Sequence, residues 1–594
     1  MHTQWNLKLL LPDEKQETIE KIKQQILSKK NDFVDKWKGN ESYLSDPVQL
    51  TEAMHDYEEW CREYAGGGAM GYYFHLQSSL DENNPDIKAK DALITEFAKD
   101  IANEMMFFTH RLAQIPQQKQ QEFLSYPQLE KYRHFLEKLF AEAKYLLSEK
   151  EEQILLLKSD PAYGNWTRMT SGFLSKEERE VVNEQGTSEL KNFSEIMSLM
   201  DSQNKMVRDS AASAFNEIMA QYVEVAENEL NSILQNKKID DSLRKIDRPD
   251  LARHIADDID SRVVDTLLTT VEKMNSVSHR YYALKARLMG VPKLAYHERN
   301  VPYGAIESEH TYDNSVQLVQ TVFAKLDPEF KTIFQGFLDN GQIDVFPMKG
   351  KRSGAFCAGF LISHPTYILL NHTNKLKDVL TLAHELGHGI NNELIKQKQN
   401  AVNYDTPTST AEVASTFMED FVFEELLSKA DEKEQLSLLM SKLNDEISTV
   451  FRQVACYRFE QSLHRTLRET GYISKDQIGK LFQQSMSSYM GDAVEQSEGS
   501  QNWWVYWSHI RYFFYVYSYA SGLLISKSLQ NQVKKDSSFI QEVKGFLSTG
   551  TSLSPKDIFA KLNIDITSES FWMQGIEEID QLLKKTEELA KKVG

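Results

Sequence analysis

Cysteine is nearly missing from this chain. Its 594 residues hold three, Cys61, Cys357 and Cys456, an odd and widely spaced set. That pattern excludes a disulfide framework and a Cys-x-x-Cys metal site. Each cysteine reads as a small buried hydrophobe, and such usage suits a reducing compartment. Positive charge is in deficit as well: 68 Lys and Arg against 87 Asp and Glu give a net −19. This argues against nucleic acid and anionic membrane surfaces as partners. No run of 18 apolar residues occurs, so no membrane-spanning helix is expected. The stretch Met1-His-Thr-Gln-Trp-Asn-Leu-Lys8 lacks the charged-then-apolar pattern of a secretory leader. The expectation is a soluble cytoplasmic protein.

Proline is scarce, at 14, and stands mostly at joints between long segments rich in Glu, Lys, Leu, Ala and Gln. Apolar spacing of three and four predicts helices over 13–39, 86–114, 128–158, 188–236 and 257–290. Gly66-Gly-Gly-Ala-Met-Gly71 reads as a turn between helices; it lacks the Lys-Ser/Thr and the strand context of a phosphate loop. One β region is expected, 343–371. There Ile343–Phe346, Phe356–Ile362 and Thr366–Leu370 are short apolar runs separated by turn-rich connectors. An exposed edge strand at this place could hydrogen-bond the main chain of an extended peptide.

What the sequence does have is His384-Glu-Leu-Gly-His388, in the run Leu380-Thr-Leu-Ala-His-Glu-Leu-Gly-His-Gly-Ile390. On a helix, residues four apart share a face, so both imidazoles reach one ion. Glu385 points about 100° away around the helix, poorly placed to ligate but well placed as a general base. The surrounding residues are apolar or small, where a solvated helix would carry charges. Gly387 and Gly389 each cost a helix about 1 kcal/mol relative to alanine, which implies that something packs closely there.

Catalytic zinc usually takes three protein ligands and leaves one position open. The subclass with a third histidine after a glycine is excluded, because Asn391 and Leu394 stand at those places. Glu412, in the segment Ser409-Thr-Ala-Glu-Val-Ala-Ser-Thr-Phe-Met-Glu-Asp420, stands alone among small residues. It is a candidate third ligand, or else a carboxylate favouring the helix dipole. Glu419, Asp420, Glu424 and Glu425 resemble a solvated face. After 501 the chain is unusually aromatic, and most of those rings read as packing. Tyr512 and Tyr519 are seven apart, two helical turns, and so would share a face.

His384–His388 followed by Ala411-Glu-Val-Ala-Ser-Thr-Phe417 resembles the M3 family of metallopeptidases, and most closely its oligoendopeptidase F branch, related to thimet oligopeptidase and neurolysin. Other pieces match in order: Gly350–Cys357, Tyr367–Asn371, Phe451-Arg-Gln453 with Phe459-Glu460, and His509–Ala520. The likeness is strong over about 200–580 and weak before it. It implies a mainly α fold, a helical ellipsoid of two lobes around a deep channel with a small sheet beside the zinc helix. It divides the chain into an N-terminal helical lobe, 1–190, and a catalytic domain, 191–594. It makes Glu412 the third ligand to one zinc ion per chain, and it sets Tyr512, Tyr519 and His509 at the site. Only Ile510 and Arg511 separate His509 from Tyr512, where the thimet relatives carry a glycine-rich loop.

The expected activity is zinc-assisted hydrolysis of short unstructured oligopeptides. Glu385 serves as base and then acid, and Tyr512 or Tyr519 donates to the oxyanion. A metallocarboxypeptidase is the rival enzyme; it would need a basic group for the substrate carboxylate, such as Arg511 or Arg352. A non-catalytic peptide binder is the rival of another class, and it would have no need of Glu385.

Overall fold

A computed structural model describes residues 2–304 and 309–593. The chain is mainly helical, with two small sheets among the described residues. No helix among them is long and apolar enough to cross a membrane. The chain forms two compact units, each drawn from three stretches: 1–156, 308–426 and 529–564 make the first, and 157–307, 427–528 and 565–594 the second.

In the first unit, helices Gln16–Trp37, Pro47–Glu63, Gly68–Leu80 and Pro85–Ala113 close around a core that includes Trp37, Tyr43, Phe74, Phe107 and Phe108. Proline in the first turn and an Asp46 or Asn84 cap start the second and fourth of these helices. Of the glycine-rich segment, Gly66 and Gly67 lie in the turn between two of them, and Gly68–Gly71 open the third helix. Gly66 has φ 61°, and a Cβ on it would lie 2.5 Å from the Phe360 ring, so only glycine fits.

The predicted helix over 128–158 is interrupted: Arg133–Glu142 and Glu149–Ser159 are helices with 3₁₀ turns before and between them. The predicted helix over 188–236 is a correction. Ser188–Asn192 (β2) is a strand paired antiparallel with Glu178–Val182 (β1), with Glu178 opposite Asn192 and Val182 opposite Ser188. Both strands are charged and mostly exposed, so they carry no apolar alternation. Their turn depends on Asn183, whose side chain accepts from Gln185 and Thr187 N–H, and on Gly186 at φ 78°.

The expected sheet at 343–371 is present, with shorter strands. Ile343–Asp344 (β3) runs parallel to Tyr367–Leu369 (β5), and Phe356–Ala358 (β4) runs antiparallel to β5 on its other side. The order β3-β5-β4 makes β4 an edge. The N-terminal residues secure the opposite end: Val345 N–H donates to Thr3 O at 3.0 Å, and the Trp5 indole donates to Ile368 O at 2.8 Å. Lys351 is buried and paired with Asp344 at 2.6 Å, and it also donates to Phe346 O at 2.7 Å. This pair fixes the connector that leads into β4.

The motif helix, Leu376–Lys398, follows β5. Its first turn is closed by Asp378, which accepts from Thr373 N–H at 2.7 Å and Lys375 N–H at 2.9 Å. A second helix, Ala411–Lys429, crosses it. The crossing needs Gly387: a Cβ there would sit 2.6 Å from both Ala414 O and Ser415 Cα. A Cβ on Gly389 would meet the Phe337 ring at 2.9 Å. The close packing implied by these two glycines is thus backbone against backbone at the first and backbone against ring at the second.

A glycine pair tests this. Gly336 lies in helix Pro328–Asp339, and no atom of the described residues comes within 4 Å of its would-be Cβ. Gly336→Ala should stabilise the protein by up to about 1 kcal/mol through helix propensity. Gly387→Ala gains the same propensity yet should be destabilised by about 1–3 kcal/mol, because the helices must separate. Thermal melts of the two variants should therefore move in opposite directions.

Candidate active site

The crossing brings three donor groups together. His384 Nε2 lies 3.4 Å and His388 Nε2 3.6 Å from the same oxygen of Glu412, Oε2. The donor atoms of the three residues lie within 4.8 Å of one another. Tetrahedral zinc bonded at about 2.0–2.1 Å separates its ligand atoms by roughly 3.3 Å, so the set fits a metal of that kind. Its chemistry fits too, with two imidazoles and one carboxylate.

Each ligand candidate is held from behind. His384 Nδ1 lies 3.0 Å from Glu419 Oε2, which leaves Nε2 turned toward Glu412. Ser415 Oγ donates to Glu412 Oε2 at 3.0 Å. The Ala411 carbonyl is a hydrogen-bond partner of the His388 ring. Burial pushes His388 down to about 4, so it stands neutral and able to ligate. Burial opposes ionisation of Glu412, but hydrogen bonding to His384 and the two histidines facing it hold it at about 2. Burial disfavours the imidazolium of His384 as well; the Glu412 and Glu419 carboxylates outweigh that and raise its pKa well above the ordinary value.

Glu385 is 7% exposed and lies off the donor cluster. Burial pushes it up to about 7, partly countered by the His384 charge and by a hydrogen bond from the Cys357 amide in β4. A carboxyl near 7 is suited to exchange protons at neutral pH, and a cation beside it would draw the value down. The edge strand and Glu385 are therefore neighbours. All four residues open on a cavity of about 710 Å³, walled on one side by Phe356, Cys357 and Phe360 and on another by Tyr404. Its size is that of a ligand site.

Glu419 and Asp420 correct the sequence reading, which took them for a solvated face. Glu419 holds His384, and buried Asp420 accepts from Gln530 Nε2 at 2.8 Å. A readable signal existed for Glu419: it is seven residues after Glu412, on the same face of one helix.

In the second unit, His509 and Tyr519 come together, with ring centroids 5.9 Å apart. Tyr515, read from sequence as packing, joins them through a hydrogen bond between its hydroxyl and His509 Nδ1. Burial and then the charge of Arg452 push His509 down to about 4. Tyr512 is not on a helix with Tyr519, which corrects the expectation of a shared helical face. Helix Tyr517–Lys535 begins later, and Phe513 and Phe514 between them are left-handed, φ 47° and 59°. The Phe514 N–H donates to buried Glu460 at 3.0 Å instead of to a helical carbonyl. The Tyr512 ring is half exposed, at 50%.

Arg511 is 3% exposed and committed. It pairs with Glu229 at 2.7 Å and donates to the carbonyls of Trp504, Val505 and Trp507. Nothing remains for a substrate carboxylate, so the carboxypeptidase reading loses that group. Arg352, its alternative, faces Glu82 at 3.3 Å on the surface.

The family model described as Peptidase family M3 matches residues 198–578, and one described as Oligopeptidase F matches 111–175. Oligopeptidase PepF of Bacillus subtilis is 26% identical over 569 residues, covering 94% of this chain and 83% of its own length. Group B oligopeptidase PepB of Streptococcus agalactiae is 25% identical over 571 residues, 94% of this chain and 93% of its own. Among solved structures, a Chlamydophila abortus protein superposes with TM-score 0.81 at 22% identity, covering 99% of this chain and 98% of that one. Oligoendopeptidase-F of Enterococcus faecium superposes at 0.71 and 20%, covering 97% and 99%. These two share the fold described above. The chain belongs to peptidase family M3, whose members are metallopeptidases.

Proposed function

We propose that this metallo-oligopeptidase is a zinc enzyme that cuts short, unstructured peptides at internal bonds. The observation that carries the reading is the convergence of His384, His388 and Glu412 donor atoms beside Glu385 in a cavity bounded by an edge strand. His384, His388 and Glu412 would hold the ion, with Glu419 orienting His384. Bound there, zinc supplies Lewis acidity toward water and a carbonyl oxygen. Glu385 takes the proton of the attacking water and delivers it to the leaving amine. Tyr512 and Tyr519 donate to the oxyanion, and His509 supports the second of them. The β4 edge binds the peptide by its main chain, which accounts for tolerance of side chains. Three free cysteines suit a reducing, intracellular compartment.

Chelation should abolish activity, and added zinc should restore it. Glu412→Gln should lose the metal. Glu419→Gln should keep its fold while metal affinity falls about 10–100-fold. Glu385→Gln should keep the metal and lose about 10²–10⁴ in turnover. Elemental analysis beside peptide assays separates the three. A metal-free Glu385→Gln, or a fully loaded Glu412→Gln, would reverse the assignments.

For the tyrosines, Tyr512→Phe or Tyr519→Phe should lower kcat by about 10²–10³ with KM nearly constant, since an oxyanion donor acts in the transition state. Unchanged kcat in both would return them to packing.

Mass spectrometry of one disordered sequence offered at graded lengths tests the substrate class. Internal cuts are expected, with rates falling as length grows and none on folded protein. Single residues released from the C-terminus would instead identify a carboxypeptidase.

A further inference from the structure

The second unit contains two arginines that the peptide chemistry leaves unexplained. Arg299 and Arg452 line one small cavity together with Tyr296, Phe482, Trp503 and Trp507. Arg299 is 5% exposed. Its guanidinium lies 4.2 Å from the Tyr296 ring centre and 4.7 Å from that of Trp503, and its Nη1 donates to Tyr296 O at 2.8 Å. Its Nε is buried without an acceptor among the described residues, and so is Nε of Arg452. Arg452 lies 5.9 Å from the Trp507 ring, with no hydrogen bond or ion pair to any described residue.

Among the described residues no carboxylate lines this cavity. The adjacent Glu298 is committed to Arg208 at 2.7 Å and Lys205 at 3.2 Å. Aromatic faces compensate a guanidinium only in part, and a buried charge without a counter-charge is among the least favourable features of a protein interior. Nearby Lys285, buried and bonded to Arg299 O at 2.6 Å, can shed its proton; a guanidinium cannot. A water molecule in the cavity would leave both charges uncompensated.

The cavity offers about 10 Å³ to the centre of a water-sized sphere. That is room for about one such sphere and too little for phosphate or a carboxylate group. We infer that the cavity is a binding site for one monatomic, monovalent anion of the size of chloride or bromide, held between the Arg299 and Arg452 guanidinium groups.

Thermal unfolding of the full metal-loaded protein tests this, with chloride, bromide and gluconate compared at matched ionic strength. Chloride and bromide should raise the melting temperature saturably, on the order of 2–4 °C at a large excess over the dissociation constant, and gluconate should not. Arg452→Gln, at a half-buried position, should abolish the difference between the anions, as should Arg299→Gln if it folds. Crystals grown in bromide should show an anomalous peak between the two guanidinium groups. Identical melting in chloride and gluconate, or a cavity holding no bromide, would overturn the site. An anion effect surviving in Arg452→Gln would overturn its assignment to this pair.

Discussion

The approach of two helix backbones at Gly387 is the contact on which the rest of the site depends. Three donor atoms must converge to within a few ångströms, and two of them sit on one helix and the third on another. A side chain at 387 would hold Ala414 and Ser415 away, and Glu412, one turn earlier, would move with them. The charges at this crossing also need one another. Glu412 is ionised in a buried place because the histidines face it, and His388 is neutral because burial makes it so. Helix contact and ligand chemistry are therefore one constraint: widening the contact uncouples the charges as well as the geometry.

Glu385, the proposed base, depends on a different element. Glu385 lies on the motif helix, but its hydrogen-bond partner is the Cys357 amide of β4. β4 is an edge strand held on one side only, by β5, and its approach is set by the buried Lys351–Asp344 pair. Asp344 in turn accepts from the Trp5 backbone at 3.2 Å. A chain of contacts thus runs from the first residues of the protein to the carboxylate proposed to move protons. A buried ion pair is weak evidence for net stability. Here its evident structural effect is to give one loop a single conformation, and so to hold one strand edge in register beside Glu385.

Much of the site was legible because its signals are periodic. His384 and His388 are one helical turn apart, and the apolar runs at 343–371 are short and bounded by turns. Glu412 was readable from family likeness more than from spacing. The same periodic logic was applied unevenly to the rest. Seven-residue spacing suggested a common face for Tyr512 and Tyr519, and it fails there because left-handed Phe513 and Phe514 interrupt the helix. It holds for Glu412 and Glu419, where it was not used, because four acidic residues close together read as solvated surface. The β1–β2 hairpin escaped for the opposite reason. Half of its strand residues are charged, and its signal is the Asn183 side chain and the Gly186 backbone, which hydrophobic patterning does not register.

Left-handed backbone at two consecutive phenylalanines is unfavourable, about 1–3 kcal/mol each, and persists only where the surroundings dictate it. The surroundings are visible on both sides. Before Tyr512, Arg511 is tied to Glu229 and to three carbonyls; after it, Phe514 is buried and its N–H is taken by Glu460. Burial drives Glu460 up to about 8, so near neutral pH its carboxyl is mainly protonated, and the carbonyl oxygen that accepts from Phe514 needs no ionised partner. A half-exposed ring between two buried anchors, on a backbone that a regular helix would not supply, is held without being covered. The first unit fixes β4 by the same means, pairing a buried lysine with a carboxylate to hold an irregular loop. In both units, buried polar contacts hold the stretches of chain that helix and sheet hydrogen bonding leaves unsupported.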